Sequence, residues 1–303
     1  MFAKRKKSYS DKIFDVINVV IMLVLIAIFI WPLWFILIAS FSDPAAIWRG
    51  EVLLWPVGFT LKAYKALFEY EMIWTGYRNT IIYTCLGTLM NMVATICVAY
   101  PLSFKDFVGK KFCMFYFMIT MYFAGGVVPS YLLNVKLGLV DTPWVMILGG
   151  CSVYNMLIMR TYFRTSIPVS LWEAARLDGV SSGQYLTKIV LPLSKPVVAV
   201  ITLYYAVGRW NDYYTGLIYL RNPDLLPLQN VVRKVYNSVA ALAENMASGA
   251  GSAQSTEVLK QQQEMAGLLK YTTIIVAAAP LLMVYPFIQK YFVKGVMIGS
   301  VKE

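Results

Sequence analysis

The stretch "EAARLDGVSSGQYLTKIVLPLSKP" runs from Glu173 to Pro196 and is polar, charged and rich in turn-forming residues. Long apolar runs lie on both sides of it. The chain of 303 residues is 59% hydrophobic and 14% charged, with a mean hydropathy of +0.61. Soluble domains average about 45–50% apolar and about 25% charged residues. The composition therefore predicts a membrane protein that carries a small polar module between apolar segments.

The apolar runs supply six candidate membrane spans. A helix needs about 20 predominantly apolar residues to cross the hydrocarbon core of a bilayer. The first run is too long for the apolar region of a cleavable signal peptide, so we expect an uncleaved first helix. The sequence thus predicts an all-α polytopic membrane protein that forms one domain over residues 1–303. Its six transmembrane helices are expected at about residues 14–42, 77–104, 112–134, 142–163, 196–220 and 271–291.

Basic residues set the expected orientation, because cytoplasmic loops carry an excess of lysine and arginine. With the N-terminus inside, the cytoplasmic parts hold 16 basic and 6 acidic residues, and the outer parts hold 10 and 9. Both termini are then cytoplasmic, the loop over residues 164–195 is cytoplasmic, and the long loop over residues 221–270 is extracellular. The net charge of +11 is thus a topology signal. It does not indicate nucleic-acid binding, because the basic residues are spread over several short segments.

Several kinds of chemistry are excluded or unexpected. The chain contains no histidine, which excludes histidine metal sites and Ser-His or Cys-His dyads. Cys85, Cys97, Cys113 and Cys151 lie in or beside apolar runs without C-x-x-C spacing, as expected of small buried hydrophobic residues. The chain has no G-x-x-x-x-G-K-[ST] phosphate loop, so it should not bind ATP. We expect no cofactor, metal or catalytic residue in this polypeptide.

The first half of the polar module has the pattern of a short helix. Pro168 stands before it, and Ser170 followed three residues later by Glu173 has the spacing of a capping box. Gly179 fits the helix end, because glycine adopts the left-handed conformation without strain.

The second half predicts another short helix that begins near Ser181 or Ser182. Pro192 and Pro196 are expected to end it before the fifth span. Its apolar stripe is Tyr185, Leu186, Ile189 and Val190. The pattern leaves two interpretations open: an amphipathic connector at the membrane surface without a partner, or an element to which a soluble protein docks.

These residues resemble the EAA loop of ABC importer permeases, in which E-A-A is followed by a D-G pair and then by I-x-L-P. The matching residues are Glu173, Ala174, Ala175, Asp178, Gly179, Ile189, Leu191 and Pro192. Further stretches resemble the carbohydrate-uptake subfamily, in particular permeases of the lipoprotein-associated and pectin- or alginate-oligosaccharide type. They are "AYPLS", "GGVVPSYLLNVKLGLVDTPW", "WNDYYTGLIYL" and "PLQ", so the resemblance covers most of the chain.

The resemblance implies a type I ABC importer permease fold and half of a translocation pore for oligosaccharides in the bacterial plasma membrane. It also implies coupling helices that dock to a cytoplasmic ATPase. The residues implied in coupling are Glu173, Ala174, Ala175, Arg176, Leu177, Asp178, Gly179, Ile189, Leu191 and Pro192. The implied partners are a second homologous permease, an extracellular substrate-binding lipoprotein, the lipid bilayer, and two ATPase subunits that carry the ATP and Mg²⁺; no nucleic acid is implied.

Two charged residues interrupt the fifth span. Arg209 and Asp212 fall near its middle, where an isolated charge costs about 2.5–3.5 kcal/mol on insertion scales. Spaced i, i+3, they could form an intrahelical pair that orients the span. Alternatively, Arg209, Trp210, Asn211, Asp212 and Tyr213 lie along the substrate pathway. Aromatic rings beside polar groups suit a sugar, which has apolar CH faces and many hydroxyls.

The third span contains Gly125, Gly126 and Pro129, which predict a break or kink near its outer end. An outer gate and a packing kink are both compatible with this pattern.

The long outer loop has two parts. Apolar residues at helical spacing from Leu228 to Leu242 predict an amphipathic outer helix. The second part is polar and low in complexity, which fits a flexible tether. The resemblance suggests instead a contact with the binding protein, for which the candidates are Ser248, Gly249, Gly251 and Ser252.

A self-contained membrane protein is the rival class, either an ion-coupled secondary transporter or a polytopic enzyme. A secondary transporter would usually show internal inverted repeats, and the sequence shows none. An enzyme would need a clustered set of titratable groups at one depth, and apart from Arg209 and Asp212 the spans show no such set.

Overall fold

The structure is a computed structural model that describes residues 9–247, 269–284 and 286. Within these residues every regular element is helical, as predicted. The α-helices are α1 (Tyr9–Ser40), α2 (Pro44–Trp48), α3 (Lys62–Glu69), α4 (Glu71–Ser103), α5 (Lys110–Tyr122), α6 (Val127–Lys136), α7 (Trp144–Ile147), α8 (Val153–Ser166), α9 (Val169–Leu177), α10 (Ser182–Leu193), α11 (Lys195–Trp210), α12 (Tyr213–Tyr219), α13 (Leu228–Ala247) and α14 (Leu269–Val284). A 3₁₀ turn (Pro223–Leu225) precedes α13.

The chain divides into two compact units. The first unit contains the described residues of 9–69 and 234–277. Its best-packed part is the end of α1, where the Ser40 and Tyr64 hydroxyls lie 2.8 Å apart and the Phe41 ring stacks on Tyr64 with centroids 5.0 Å apart. The indole of Trp34 donates to the Leu54 carbonyl at 3.0 Å. The earlier apolar side chains of α1 are exposed in this chain, as expected of a helix that faces lipid or other subunits.

The second unit contains the described residues of 70–233 and those after 277. Helix α4 is its centre and packs against α8 and α11. The core between them is built from interlocking side chains of Met92, Ala99, Met156, Met159 and Ile201, all buried. This bundle positions both parts of the candidate site.

The membrane-crossing elements are less regular than the sequence predicts. Among the described residues, α1 and α4 are long and apolar enough to cross a membrane as single helices. Two bent pairs reach that length only when each is joined into one span: α5 with α6, bent by 113°, and α10 with α11, bent by 84°. The apolar helix α14 is shorter, and residues 285 and 287–291 of the predicted sixth span lie outside the described residues.

Two predicted spans are not continuous helices. The fourth, expected at 142–163, is interrupted between α7 and α8 at residues 148–152, which include Gly149 and Gly150. The fifth, expected at 196–220, is interrupted between α11 and α12 at Asn211 and Asp212. Hydropathy along the sequence does not show where a helix inside an apolar run is interrupted.

The expected break in the third span is confirmed at Gly126. This residue has φ 88° and ψ 178°, a backbone conformation open almost only to glycine. Pro129 lies in the first turn of α6 instead of at the break, and its missing N–H is tolerated there.

The helix expected in the first part of the outer loop is confirmed as α13. Leu228 and Val231 are buried, and Arg233 and Lys234 are exposed, so this end of the helix is amphipathic. The remaining candidate residues of this loop, Ser248, Gly249, Gly251 and Ser252, lie outside the described residues.

Candidate functional site

The polar module folds as two helices joined by a glycine turn. Helix α9 ends at Leu177, and Gly179 has φ +73°, which confirms the left-handed stop. The capping box predicted from Ser170 and Glu173 is wrong. Helix α9 starts after Pro168, whose extended ψ of 139° places Ser170 inside the first turn, and no side chain caps this end.

A capping box does occur one helix later. The Ser181 hydroxyl accepts from the Gln184 backbone N–H at 3.3 Å, and the Gln184 side chain accepts from the Ser181 N–H at 3.2 Å. Helix α10 then continues through a π-turn (Leu186–Val190) to Leu193. It ends one residue after Pro192 and before Pro196, which confirms the expected end ahead of the fifth span.

Aromatic contacts fix this module to the end of α4. The Trp172 ring lies 4.9 Å from the Tyr185 ring and 5.2 Å from the Phe104 ring, between centroids. The Tyr100 hydroxyl donates to the Ser182 carbonyl at 3.0 Å. Such aromatic pairs contribute about 0.5–1.5 kcal/mol each beyond the area they bury. The module is therefore held against the end of α4 by side-chain contacts.

The outer edge of α9 has no cover within the described chain. Of the three E-A-A residues, Ala175 is buried and Glu173 and Ala174 are exposed, and the charged residues that follow, Arg176 and Asp178, are exposed as well. Leu177 is 89% exposed at the tip of the helix. Further along, Ile189 and Leu191 are half-buried and Pro192 is exposed. The arrangement presents a small helix tip, with one apolar side chain among charges, that is anchored from behind.

The second part of the site surrounds Arg209. Its guanidinium donates from Nη1 to the Met146 carbonyl at 2.7 Å and from Nη2 to Asn91 Oδ1 at 3.2 Å. The carboxylate of Asp212 instead caps α12 by accepting from the Thr215 N–H at 3.0 Å. The predicted intrahelical pair is therefore wrong, because α11 ends at Trp210 and the two charged residues do not share a helix face.

Two glycines make room for Arg209. A Cβ at Gly87 would lie 3.0 Å from Arg209 Nε, and a Cβ at Gly149 would overlap both Arg209 Nη2 and Asn91 Oδ1. The guanidinium thus connects α11 to α4 and α7 and lies against Gly149, which follows α7. The sequence marked Arg209 as unusual but gave no indication of Gly149, whose importance depends on a contact between distant segments.

The other pathway candidates meet at the break between α11 and α12. Trp210 is buried with its ring centroid 6.5 Å from that of Tyr77, and Asn211 is exposed. The Tyr213 ring is exposed, with the Arg233 guanidinium 5.1 Å from its centroid. The structure therefore brings aromatic faces, an amide and a cation together at one helix break.

A polar row on α4 belongs to the same unit and was missed in the sequence. The Thr80 hydroxyl accepts from the Leu228 N–H at 2.7 Å, and the Thr95 and Tyr205 hydroxyls lie 2.7 Å apart. The hydroxyl oxygens of Thr84 and Thr88 are buried and make no hydrogen bond within the described chain. The signal is the helical spacing of polar residues within an apolar run: Asn79, Thr80, Thr84, Thr88, Asn91 and Thr95.

No group of three His, Cys, Asp or Glu side chains that could hold a metal ion occurs in the described residues. The arrangement presents an exposed helix tip that is anchored from behind, and a polar helix break with aromatic rings. These features suit the movement and passage of a solute.

Comparison with known proteins agrees with this geometry. The chain is 34% identical over 295 residues to the polygalacturonan/rhamnogalacturonan transport system permease protein YtcP of Bacillus subtilis, covering 97% of this chain and 99% of that protein. It is 35% identical over 294 residues to Protein LplC of the same organism, covering 97% and 96%. A solved bacterial ABC transporter involved in the import of the acidic polysaccharide alginate contains a chain with a TM-score of 0.83 at 32% identity, covering 95% of this chain and all of that one.

The family description "binding-protein-dependent transport system inner membrane component" matches residues 1–298. The match spans nearly the whole sequence, and the relatives are similar over their full length. The chain belongs to the family of inner-membrane components of binding-protein-dependent transport systems, and it has the ABC importer permease fold.

Proposed function

We propose that this chain is the transmembrane permease subunit of an ATP-driven importer for oligosaccharides and forms half of its translocation pore. The observation that carries the proposal is the anchored tip of α9, in a chain that belongs to a transport-permease family. The names of the similar proteins support a saccharide substrate, since they refer to polygalacturonan, rhamnogalacturonan and alginate transport. ATP and Mg²⁺ are held by a separate ATPase subunit.

The coupling step follows from the geometry of the module. Leu177 and its charged neighbours dock in a cleft of the ATPase, and the small side chains of Ala174 and Ala175 allow close helix packing. When the ATPase closes, the force passes from α9 through Trp172 and Tyr185 to the end of α4. Two ATPase subunits act on two such permeases, and an extracellular substrate-binding lipoprotein delivers the sugar.

The broken helices support a pore made by two permeases. Residues 123–126, between α5 and α6, are non-helical and exposed in this chain. Unpaired backbone at membrane depth is tolerated only when protein covers it or when it lines a water-filled cavity. A second homologous permease provides that cover, and the break between α11 and α12, with residues 209–213, lies along the resulting pathway. We place the protein in the bacterial plasma membrane with six spans and both termini cytoplasmic.

The test is binding-protein-stimulated ATP hydrolysis by the assembled transporter, with Leu177→Asp as the variant. Loss of an interface hot spot costs about 2 kcal/mol or more, so ATPase association should fall by roughly 30-fold. Leu137→Asp is the matched control, because Leu137 is 61% exposed and follows α6, outside the module. Its ATP hydrolysis should equal that of the wild type.

Two outcomes contradict the proposal. One is full stimulated hydrolysis by the Leu177→Asp transporter. The other is wild-type transport that survives ATP depletion and needs an ion gradient, which would favour a secondary transporter.

A further inference from the structure

A cavity of about 420 Å³ lies where α4 ends and α9 begins, behind helices α9 and α10, which are called the coupling module below. Its wall is mostly apolar and includes the aromatic rings of Phe104, Trp172 and Tyr185. Its charged lining residues are Lys105, Asp106 and Arg164. The cavity therefore combines an apolar interior with a mouth that carries more positive than negative charge.

Two further cations stand next to this cavity and hold its wall in place. Arg160 Nε donates to the Leu102 carbonyl at 2.9 Å, and Lys110 Nζ donates to the Phe104 carbonyl at 2.5 Å. Both side chains are half-buried, whereas Lys105 and Arg164 are exposed and free to meet a ligand. The backbone around Phe104 is thus fixed by cations, as in a preformed site.

The positive charges are not matched by carboxylates within the described part of the chain. Four cations, Lys105, Lys110, Arg160 and Arg164, stand against the single carboxylate of Asp106. Among the described residues, no carboxylate oxygen lies within 4.0 Å of a side-chain nitrogen of these four residues, so none of them forms an ion pair there. Partly buried cations that repel one another are stabilised by an anion.

The surface next to the cavity indicates that the anion is amphiphilic. Two residues after Lys110, helix α5 presents apolar side chains that the described chain leaves exposed: Phe112, Phe115, Tyr116 and Ile119. A phospholipid carries a negatively charged phosphate and apolar acyl chains in one molecule. The basic residues match the phosphate, and the exposed apolar face of α5 matches the acyl chains. Basic pockets between membrane helices on the cytoplasmic side are known to bind anionic headgroups.

We propose that this cavity binds the phosphate headgroup of an anionic phospholipid, with Arg164 and Lys105 as its exposed ligands and the acyl chains along α5. The site lies under α9, so the lipid braces the coupling module from the membrane side. The inference rests on the membrane placement proposed above but not on transport. Direct lipid binding tests it separately from ATP hydrolysis.

The experiment is native mass spectrometry of the purified transporter after exchange into equal mixtures of phosphatidylglycerol and phosphatidylcholine. The wild type should retain phosphatidylglycerol preferentially. Each basic residue near a membrane surface contributes about fivefold to the binding of anionic lipid, so the double variant Lys105→Gln with Arg164→Gln should lose about 25-fold. Lys188→Gln, at an exposed lysine that does not line the cavity, should retain the lipid as the wild type does.

Equal phosphatidylglycerol retention by the double variant and the wild type would overturn the proposal. So would displacement of the lipid by millimolar inorganic phosphate, which would assign the site to a free anion. Loss of the ATPase from the double variant with unchanged lipid retention would assign the cations to the subunit interface and also contradict it. The readout of this experiment is bound lipid and not ATP hydrolysis. If no preferential lipid binding is found, ATP hydrolysis by the wild-type transporter still tests the proposed function independently.

Discussion

Replacing Arg209 by methionine should destabilise the bundle of α4, α8 and α11. The variant keeps the unbranched apolar stem of the side chain but removes the two hydrogen bonds by which α11 holds α7 and α4. The two acceptors left behind are deeply buried, since Met146 is 1% exposed and Asn91 is 6% exposed. An orphaned buried acceptor costs about 1–3 kcal/mol, so the two together cost roughly 2–6 kcal/mol.

Removing the guanidinium also ends the cost of holding a charge partly out of water. That gain offsets part of the loss, and we expect a net destabilisation near the lower end, roughly 2 kcal/mol. Gly149→Ala should act in the same direction, because its Cβ would overlap the guanidinium without removing the charge. Agreement between the two variants would locate the effect at this contact.

The assay is denaturant unfolding of the purified protein in mild detergent, followed by circular dichroism. Arg78→Met is the control, because Arg78 is an exposed arginine of α4 whose contact with Asn79 Oδ1 measures 3.5 Å. It should differ from the wild type by less than about 0.5 kcal/mol. An Arg209→Met protein as stable as this control would refute the reasoning, and loss of uptake at unchanged stability would assign Arg209 to the pathway.

Two further predictions concern helix and loop ends. Asp212→Ala should lower the free energy of unfolding by about 1 kcal/mol, because α12 loses its cap, whereas Asp212→Asn keeps the cap and removes only the charge. If both variants lose uptake, the charge itself has a role. If the Asn variant takes up substrate normally, Asp212 serves only as a cap. Asp141, at φ 58°, accepts from the Asn222 and Arg221 N–H groups, each at 2.8 Å, and these bonds hold its pKa below the ordinary value. Because its folded pKa is depressed, its contribution is fully present above pH 3.8 and is lost as the pH falls through the folded pKa. At pH 7, Asp141→Ala should therefore lower the thermal unfolding temperature more than Asp141→Asn does, because asparagine tolerates a positive φ. The difference in unfolding temperature between Asp141→Asn and the wild type should shrink at pH 3. A difference that stays constant from pH 7 to pH 3 would contradict a stabilising role of the Asp141 carboxylate.

The bends at the spans illustrate the limit of prediction from hydropathy. Gly126 could be predicted as a break because the glycine pair Gly125–Gly126 is followed closely by Pro129. The interruption at Gly149 could not, since a glycine pair in an apolar run is also compatible with a helix. Only the contact with Arg209, 60 positions away in the chain, accounts for the absence of a side chain there.

The sequence by itself determined the all-helical membrane class, the polar module and its glycine stop, and the motif by which the family is recognised. These features depend on composition, helical periodicity and the φ preference of single residues, all of which act over a few positions. The tertiary structure decided which serine caps which helix, where the fourth and fifth predicted spans are interrupted, and that Arg209 binds Met146 and Asn91 and not Asp212. Those outcomes depend on which helices pack together, because a buried polar group takes the partner that packing places within reach.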